Sequence, residues 1–504
     1  MHDNHTTIRI YDAKMIRQIE SDWQATHDQP LTFLMTRAGM AVLDRLKQTW
    51  PNAQHIVVVC GAGNNGGDGF VVGYLAMMQG FKVTLLATDN AGEQGDAALM
   101  RQWFATLGGQ VEGINPDHPA LSQADVIVDA LLGTGIDRPV TGLIAALIQA
   151  INASEVPIIS VDVPSGVCAT TGRCDPMAIN ADCTVTFIAN KIGLMTGEAM
   201  EKVGQLMHAD LGVDTLDHQP VAQGLTPQWF NDNWPICSKG ASKIDKGHAV
   251  LIGGDQGMPG AGLMMAKAAL IAGAGRVTLL THPDHATQLA GLVPEIMCQG
   301  VDRPEILQQQ AGRATVIGIG PGMVADAAWS QMVYDTIGSL PGPKVVDAGG
   351  LTELPAEALK NAVITPHEGE AARLLNQLGG DIRDNRPSSL QQLMRVTQAR
   401  GVVLKGPGTL IGQPQQPIWV APYATSVLAT GGSGDILTGL ITGIACQQTV
   451  ADLALAAGLG VMLQGQAAEL YQRQQGGPWG AKATDILAYV PKVLNQGLSS
   501  MANA

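Results

Sequence analysis

Aromatic side chains make up only 4% of this 504-residue chain, and positive charge is in deficit, with 30 Lys and Arg against 44 Asp and Glu. The net charge of −14 and the lack of a basic stripe argue against nucleic acid and anionic membrane surfaces as partners. An anionic ligand would have to be held by local amides, helix N-termini and single lysines. The seven cysteines, at 60, 168, 174, 183, 237, 298 and 446, form neither C-x-x-C nor paired zinc spacing. They are expected to be free or buried thiols in a reducing compartment. The longest uncharged apolar run, Leu453 to Leu463, is too short to span a bilayer. No basic region followed by an apolar stretch opens the chain, so no signal peptide is expected and the cytoplasm is the expected location.

Glycine, by contrast, is abundant at 61 residues. With few aromatics, that suits α/β folds with tight βα turns and close helix–sheet contact. The length argues for two or three domains. Strands are expected near 56–60, 82–87, 125–129, 157–161 and 183–188, with helices between them, which is the mark of a parallel sheet covered on both faces. The alternation lapses over Val213 to Gly240, a stretch rich in Asp, Gln, Pro, Trp and Asn. A second α/β unit begins at Ala249, with strands expected near 276–280, 315–319, 344–347, 362–365 and 401–405 and closing helices near 433–446 and 451–470. The expected domains are 1–218 and 240–504, joined by a linker at 219–239. The tail after about Val493 is expected to fray.

The most informative stretch is Gly61-Ala-Gly-Asn-Asn-Gly-Gly-Asp-Gly69. It follows the apolar run His55 to Cys60 and precedes a helix-compatible segment, Phe70 to Met78. A strand, a glycine-rich turn and a helix start place backbone amides where an anion can sit. Gly61, Gly63 and Gly66 match the dinucleotide spacing G-x-G-x-x-G, and Asp89 ends the next strand. Asp68 argues against a standard pyrophosphate turn, because it puts a carboxylate in the first turn of the helix. Three further pieces end expected strands in the same unit: Asp129-Ala-Leu-Leu-Gly-Thr-Gly135, Asp162-Val-Pro-Ser-Gly166 and Thr186 to Lys191. Asn65, Asp129 and Ser165 offer hard oxygens for an alkali or alkaline-earth cation. Asp162 and Lys191 are candidates to move protons.

In the second unit the strongest piece is Ala429-Thr-Gly-Gly-Ser-Gly-Asp435, a glycine-rich turn opening a helix. Its amides could stabilise a transferring phosphoryl group, and Asp435 could accept a proton from an attacking hydroxyl. The bland alternative is an ordinary helix cap with an acid at the favourable dipole end. Lys405, opening Lys405-Gly-Pro-Gly-Thr409, is placed to reach phosphate. His367, in Thr365-Pro-His-Glu-Gly-Glu370, reads alone as a hydrogen-bonded turn histidine. No P-loop motif occurs.

Together these pieces resemble known families. Over about residues 10–215, GxGNNGGDG, D-A-x-x-G-T-G, D-x-P-S-G and V-T-F-x-x-x-K-x-G look like the NAD(P)HX epimerase domain, with a Rossmann-like parallel sheet. Over about 240–495, the chain resembles the ribokinase-like, ADP-dependent NAD(P)HX dehydratase. The resemblance implies repair of nicotinamide dinucleotides hydrated at ring carbon C6: NADHX and NADPHX as substrates, ADP as phosphoryl donor, potassium in the epimerase and magnesium in the dehydratase. It implies substrate contacts at Asn64, Asn65, Gly66, Gly67 and Asp68, at Gly133, Thr134, Gly135, Ile136, Asp137, Arg138 and Pro139, and at Asp162. In the second unit it implies substrate contacts at Ala261, Gly322, His367 and Asp435. Lys405, Gly406, Pro407, Gly408, Thr409 and Gly434 are implied to hold the adenine nucleotide, and Asn65, Asp129 and Ser165 the potassium. A homo-oligomer is expected. The chain departs from the family at Asp347-Ala-Gly-Gly350, where Gly349 replaces the usual second aspartate. Rival readings are a small-molecule kinase in the second unit, a non-catalytic dinucleotide binder in the first, and an NAD-dependent dehydrogenase resting on G-x-G-x-x-G alone.

Overall fold

A computed structural model of the chain describes residues 6–501 except 28–29, 31, 135–138, 236–237, 379–384, 448 and 451. The chain divides into two compact units, Arg9–Ala222 and Gln223–Ala504, the latter joined by the residues up to Ile8.

The first unit holds β1 (Thr7–Tyr11, which starts just before it), β2 (His55–Cys60), β3 (Lys82–Ala87), β4 (Val111–Gly113), β5 (Val126–Ala130), β6 (Ile158–Val161), β7 (Cys183–Phe187), β8 (Asn190–Lys191) and β9 (Gln205–Ala209). Seven of these form a sheet in the order β4-β3-β2-β5-β6-β7-β9, with every pairing parallel. Both faces are covered, which explains the unbroken apolar runs. Along β2, Ile56 and Val58 enter one core and Val57 and Val59 the other. β1 pairs in parallel with the two-residue β8, setting Tyr11 opposite Lys191.

In the second unit β10 (Ala222–Leu225) precedes β11 (His248–Ile252), β12 (Arg276–Thr281), β13 (Ile296–Gly300), β14 (Val316–Ile319), β15 (Lys344–Val346), β16 (Ala362–Ile364), β17 (Gly401–Leu404), β18 (Thr409–Gly412) and β19 (Ile418–Ala421). The order β13-β12-β11-β14-β15-β16-β17-β18-β19 is parallel as far as β17 and antiparallel beyond it. The helix Leu453–Gln475 is apolar and long enough to cross a membrane, but it is the core helix of this unit, 78% buried over its most apolar window.

Three expectations need correction. The segment 219–239 is more than a linker: it contains β10 and the helix Pro227–Asn233, whose Thr226 cap accepts from the Trp229 amide. Trp229 and Phe230 are buried in the core of the second unit, and Trp229 meets Trp419 edge-on with ring centroids 5.1 Å apart. Its polar composition hid this because the helix is short and buries only one face. The tail does not fray at Val493, for a helix runs over Val490–Met501. The helix after the first glycine run begins at Asn64, not at Phe70, so Asp68 lies on its second turn.

Trp229→Ala should destabilise the second unit by about 3–5 kcal/mol, the usual cost of deleting a buried indole. Guanidinium unfolding of the whole chain should then show one transition moving to lower denaturant. An unmoved profile would restore the linker reading.

Candidate functional site

In a parallel sheet the turns after the strands gather at one edge. In the first unit the turns after β2, β5 and β6 lie side by side, since β2–β5–β6 are adjacent. The glycine run closes tightly there: a Cβ on Gly66 would lie 1.9 Å from the Gly61 carbonyl. That turn seats Asn65 and Asp68 inside the protein while Asn64 stays exposed.

Asp129 ends β5 with no exposed surface. Its Oδ1 accepts from Ser165 Oγ at 2.5 Å, and its Oδ2 from the Ser165 amide at 2.9 Å and Ser160 Oγ at 2.8 Å. Burial pushes its carboxyl up, against the pull of these hydrogen bonds. Asn65 joins the same cluster by donating Nδ2 to the Leu132 carbonyl at 3.1 Å. Its Oδ1 is buried with no partner. Gly133 lies against the Asn65 side chain, Thr134 is half-buried and Pro139 exposed. Gly135, Ile136, Asp137 and Arg138 lie outside the described residues. The structure therefore brings Asn65, Asp129 and Ser165 together and leaves one carbonyl oxygen among them unsatisfied.

Asp162 follows β6 with a left-handed backbone, φ +62°. Its Oδ1 accepts from Lys191 Nζ at 2.7 Å, the Phe187 amide at 3.0 Å and Thr186 Oγ1 at 3.2 Å. Lys191 is fully buried and also donates to Thr186 Oγ1 and the Phe187 carbonyl. It reaches the site through Asp162. Sequence reasoning missed Glu20, on the helix Ala13–His27, whose carboxyl is raised by burial and then by the charge of Asp162. No motif marks it, because only the folded chain sets that helix beside the strand ends. Asp68 is held well above the ordinary carboxylate range by burial, then by Asp162 and Glu20, with Lys191 partly offsetting them.

In the second unit the centre is Asp347, just past β15 and 2% exposed. Lys405, just past β17, meets its Oδ1 at 2.7 Å, and Thr438 Oγ1 donates to its Oδ2 at 3.0 Å. Burial would raise the Asp347 carboxyl, but Lys405 and the hydroxyls of Thr365 and Thr438 outweigh it and hold it low. Burial would likewise lower the Lys405 ammonium, and Asp347 and Glu370 outweigh it and hold it high. Glu370 Oε2 lies 3.5 Å from Lys405 Nζ. The turn Gly406 to Thr409 follows the lysine, with Gly406 and Pro407 exposed and the Gly408 amide donating to the Tyr423 carbonyl at 3.0 Å.

The helix Ser433–Ala445 opens beside this pair, with Gly432 left-handed at its N-cap and no side-chain cap. A side chain on Gly434 would start 3.3 Å from Asp347 Oδ2 and 3.4 Å from Lys405 Nζ. Asp435 is thus near the ion pair but makes no part of it. Its carboxyl is pushed up to about 6, first by burial, then by the Asp347 charge, with Lys405 partly offsetting. Ala261 and Gly322 also come together: a Cβ on Gly322 would lie 2.7 Å from the Ala261 Cβ. The preceding turn is equally close, since a Cβ on Gly320, φ +121°, would lie 1.8 Å from the Asp347 carbonyl. His367 behaves as a turn former, its Nδ1 accepting from the Gly369 amide at 3.0 Å, while its side chain remains 55% exposed.

The departure at Gly349 has a structural counterpart. A Cβ there would lie 2.6 Å from the Tyr334 hydroxyl, which is buried and without a partner. The tyrosine oxygen fills space that a side chain at 349 would enter.

Two glycine-rich turns that each open a helix, each beside a strand-end aspartate paired with a lysine, define an α/β enzyme with two ligand-handling centres. Residues 31–193 match the family described as YjeF-related protein N-terminus, and residues 249–492 match the NAD(P)H-hydrate dehydratase family. The bifunctional NAD(P)H-hydrate repair enzyme of Coxiella burnetii is 37% identical over 92% of this chain and 94% of its own length. Its Escherichia coli counterpart is 36% identical over 96% and 94%. A ribokinase-like superfamily protein of Enterococcus faecalis, 23% identical, superposes with a TM-score of 0.49 over 54% of this chain and 95% of its own. The chain belongs to the bifunctional NAD(P)H-hydrate repair enzymes.

Gly349→Asp should destabilise the second unit by about 1–3 kcal/mol through overpacking. Tyr334→Phe alone should be nearly neutral, and added to Gly349→Asp it should recover most of the loss, because the next ring atom, Cζ, lies 3.7 Å away. Thermal melts of the three variants decide it; a single variant as stable as the parent would show that the site relaxes freely.

Proposed function

We propose that the Arg9–Ala222 unit interconverts the R and S forms of NADHX and NADPHX, and that the second unit dehydrates the S form with ADP, releasing AMP and phosphate. The observation that carries the dehydratase reading is Asp435. It sits in the first turn of a helix, beside the Asp347–Lys405 pair, with a carboxyl pushed up to about 6. A base poised near neutrality is suited to take a proton from a hydroxyl. Hydroxide on C6 leaves poorly. Asp435 removes the C6 hydroxyl proton as that oxygen attacks the terminal phosphorus of ADP, and AMP departs. Lys405, the Gly406–Thr409 turn and the amides around Gly434 take up the phosphate charge. Phosphate then leaves C6 as a proton leaves C5, which restores the dihydropyridine ring. Ala261, Gly322 and His367 are assigned to the dinucleotide.

Potassium fits the first unit. Asn65 Oδ1 is a buried oxygen without a donor, and Asp129 and Ser165 add hard oxygens with one formal charge. That suits a monovalent ion better than a divalent one; bound there, it would steady the turn that carries Asp68. Among the described residues no group of three or more His, Cys, Asp or Glu side chains could hold a metal. Magnesium in the second unit would therefore be held chiefly by the nucleotide's own phosphates. A cytoplasmic homo-oligomer completes the reading; light scattering tests the latter.

Asp435→Asn should lower the dehydration rate by about 10²–10⁴-fold and leave epimer exchange intact. In the parent, dehydration should fall as pH drops through about 6, where Asp435 takes up its proton. The stability sign is opposite. The folded carboxyl binds its proton more tightly than the unfolded one, so its contribution is present at low pH and lost as pH rises from about 4 to about 6. Asp435→Asn should accordingly melt higher than the parent at pH 7. Assay of an R/S mixture of hydrated NADH with ADP and with ATP, following recovery of near-ultraviolet absorbance, is the central test; a stable phosphorylated product would instead mark a kinase.

For the cation, anomalous scattering from crystals grown in a rubidium salt should place a peak among Asn65, Asp129 and Ser165. An empty site, with epimerase rates indifferent to the monovalent cation, would remove potassium from the account.

A further inference from the structure

Among the described residues the epimerase centre sets two acids, the buried Asp68 and the half-buried Asp162, beside the buried Lys191. Lys191 gives its donors to Asp162 Oδ1, Thr186 Oγ1 and the Phe187 carbonyl, and nothing of it reaches the surface. The amide of Phe187 and the hydroxyl of Thr186 fall on that same Oδ1. Asp162 Oδ2 meets no donor among the described residues. Asp162 is therefore anchored through one oxygen, with the other left over. Its left-handed backbone, unusual for a residue with a side chain, marks a position that its surroundings hold firmly.

Asp68 is the opposite case. It is 9% exposed, and no hydrogen-bond donor or cation meets its carboxylate among the described residues. Among the described residues, the charged and titratable groups around it are Asp162, Glu20, Lys191 and the Cys60 thiol, and Lys191 is already paired with Asp162. A buried carboxyl with like charge beside it holds its proton more tightly than a free one. Asp68 and Asp162 follow β2 and β6, which are separated only by β5. Burial first, and then the charge of the neighbouring Asp162, raises the Asp68 carboxyl.

We propose that Asp68 is the proton donor and Asp162, through its free Oδ2, the proton acceptor of the epimerase, a division of labour that rests on the epimerase reading above. In the hydrated ring C6 is bonded to both the hydroxyl and N1. Asp162 takes the hydroxyl proton, the C6–N1 bond breaks with its electron pair going to N1, and Asp68 delivers its proton to N1. C6 is now an aldehyde carbon and turns about the C5–C6 bond. N1 then closes on the other face, returning its proton to Asp68, while the oxygen takes back the proton held by Asp162. No atom is gained or lost, and no oxidant or reductant is needed. Two acids in unlike environments, one buried without a donor among the described residues and one held by a lysine, let one site supply both acid and base.

The test is Asp68→Asn in the full chain, with R- and S-NADHX separated chromatographically over time. The epimerase kcat should fall by about 10²–10⁴-fold, KM should change little, and dehydration of the S form should continue. Asp68→Glu should recover part of the rate. The parent rate should decline on the alkaline side as Asp68 loses its proton, and the residual rate of Asp68→Asn should lack that limb. Glu20→Gln should move the limb to lower proton affinity without abolishing it, since one negative neighbour is gone. Wild-type kcat in a folded Asp68→Asn, or a raised KM with kcat unchanged, would overturn the proposal. If Asp68→Asn melts early, the alkaline limb in Asp68→Glu becomes the deciding measurement, and its absence is equally fatal. A parent chain that never interconverts the epimers would sink the epimerase reading itself, a result distinct from either of these.

Discussion

Each unit is organised around one lysine driven into the protein to meet one strand-end aspartate. The Nζ to carboxylate distance is 2.7 Å for Lys191–Asp162 and for Lys405–Asp347. Taking two charges out of water costs several kcal/mol each, and a pair at hydrogen-bond distance offsets that only when its remaining donors and lone pairs are also met. The Lys405–Asp347 pair is completed by the Thr438 hydroxyl on the second carboxylate oxygen; in the Lys191–Asp162 pair Thr186 and Phe187 complete the lysine and one carboxylate oxygen, and the other oxygen is left over. The second consequence concerns the acids left over. Burial raises the carboxyls of Asp68 and Asp435, and the charge of the lysine-paired aspartate beside each raises them further. Each centre thus sets a lysine-paired aspartate beside a second acid of raised proton affinity.

Close approach of backbone to backbone makes these centres possible. At Gly66 and Gly320 a side chain would collide with a carbonyl within 2 Å. Chains that pass this near leave amides, not side chains, to line the ligand, which agrees with a protein of net charge −14 that acts on anionic dinucleotides. The tyrosine beside Gly349 shows the limit of the principle: there the missing side chain is matched by a ring hydroxyl from the neighbouring helix, Ala328–Gly338.

Much of the fold was legible. The apolar runs at β2, β5 and β6 and at β11, β14 and β17 announce buried parallel strands, because covering both faces removes the alternation that would make them ambiguous. The strands that escaped notice are β1, β4, β8, β9, β10, β13, β18 and β19. β9 and β13 include exposed positions such as Gln205 and Met297 and lie at sheet edges, and β18 and β19 form an antiparallel extension that no helix separates. The segment with Trp229 was misread because seven residues of mixed polarity carry too little periodicity to reveal a buried face.

The sequence by itself determined which residues stand at strand ends, since local pattern sets the strand and its turn together: Asn65, Asp129, Asp162, Lys405 and Asp435 are all placed by motif. The charged neighbours of those residues were decided by tertiary structure alone. Asp68 and Asp162 read alike in a sequence, as do Asp347 and Asp435. Which of each pair receives the lysine depends on where chain segments dozens of residues apart return to the sheet edge. Glu20 is the extreme instance, a helical acid with no motif, raised only because its helix lies against that edge. Charge in a low-dielectric interior is set by the sum of its neighbours, and the neighbours are chosen by the fold.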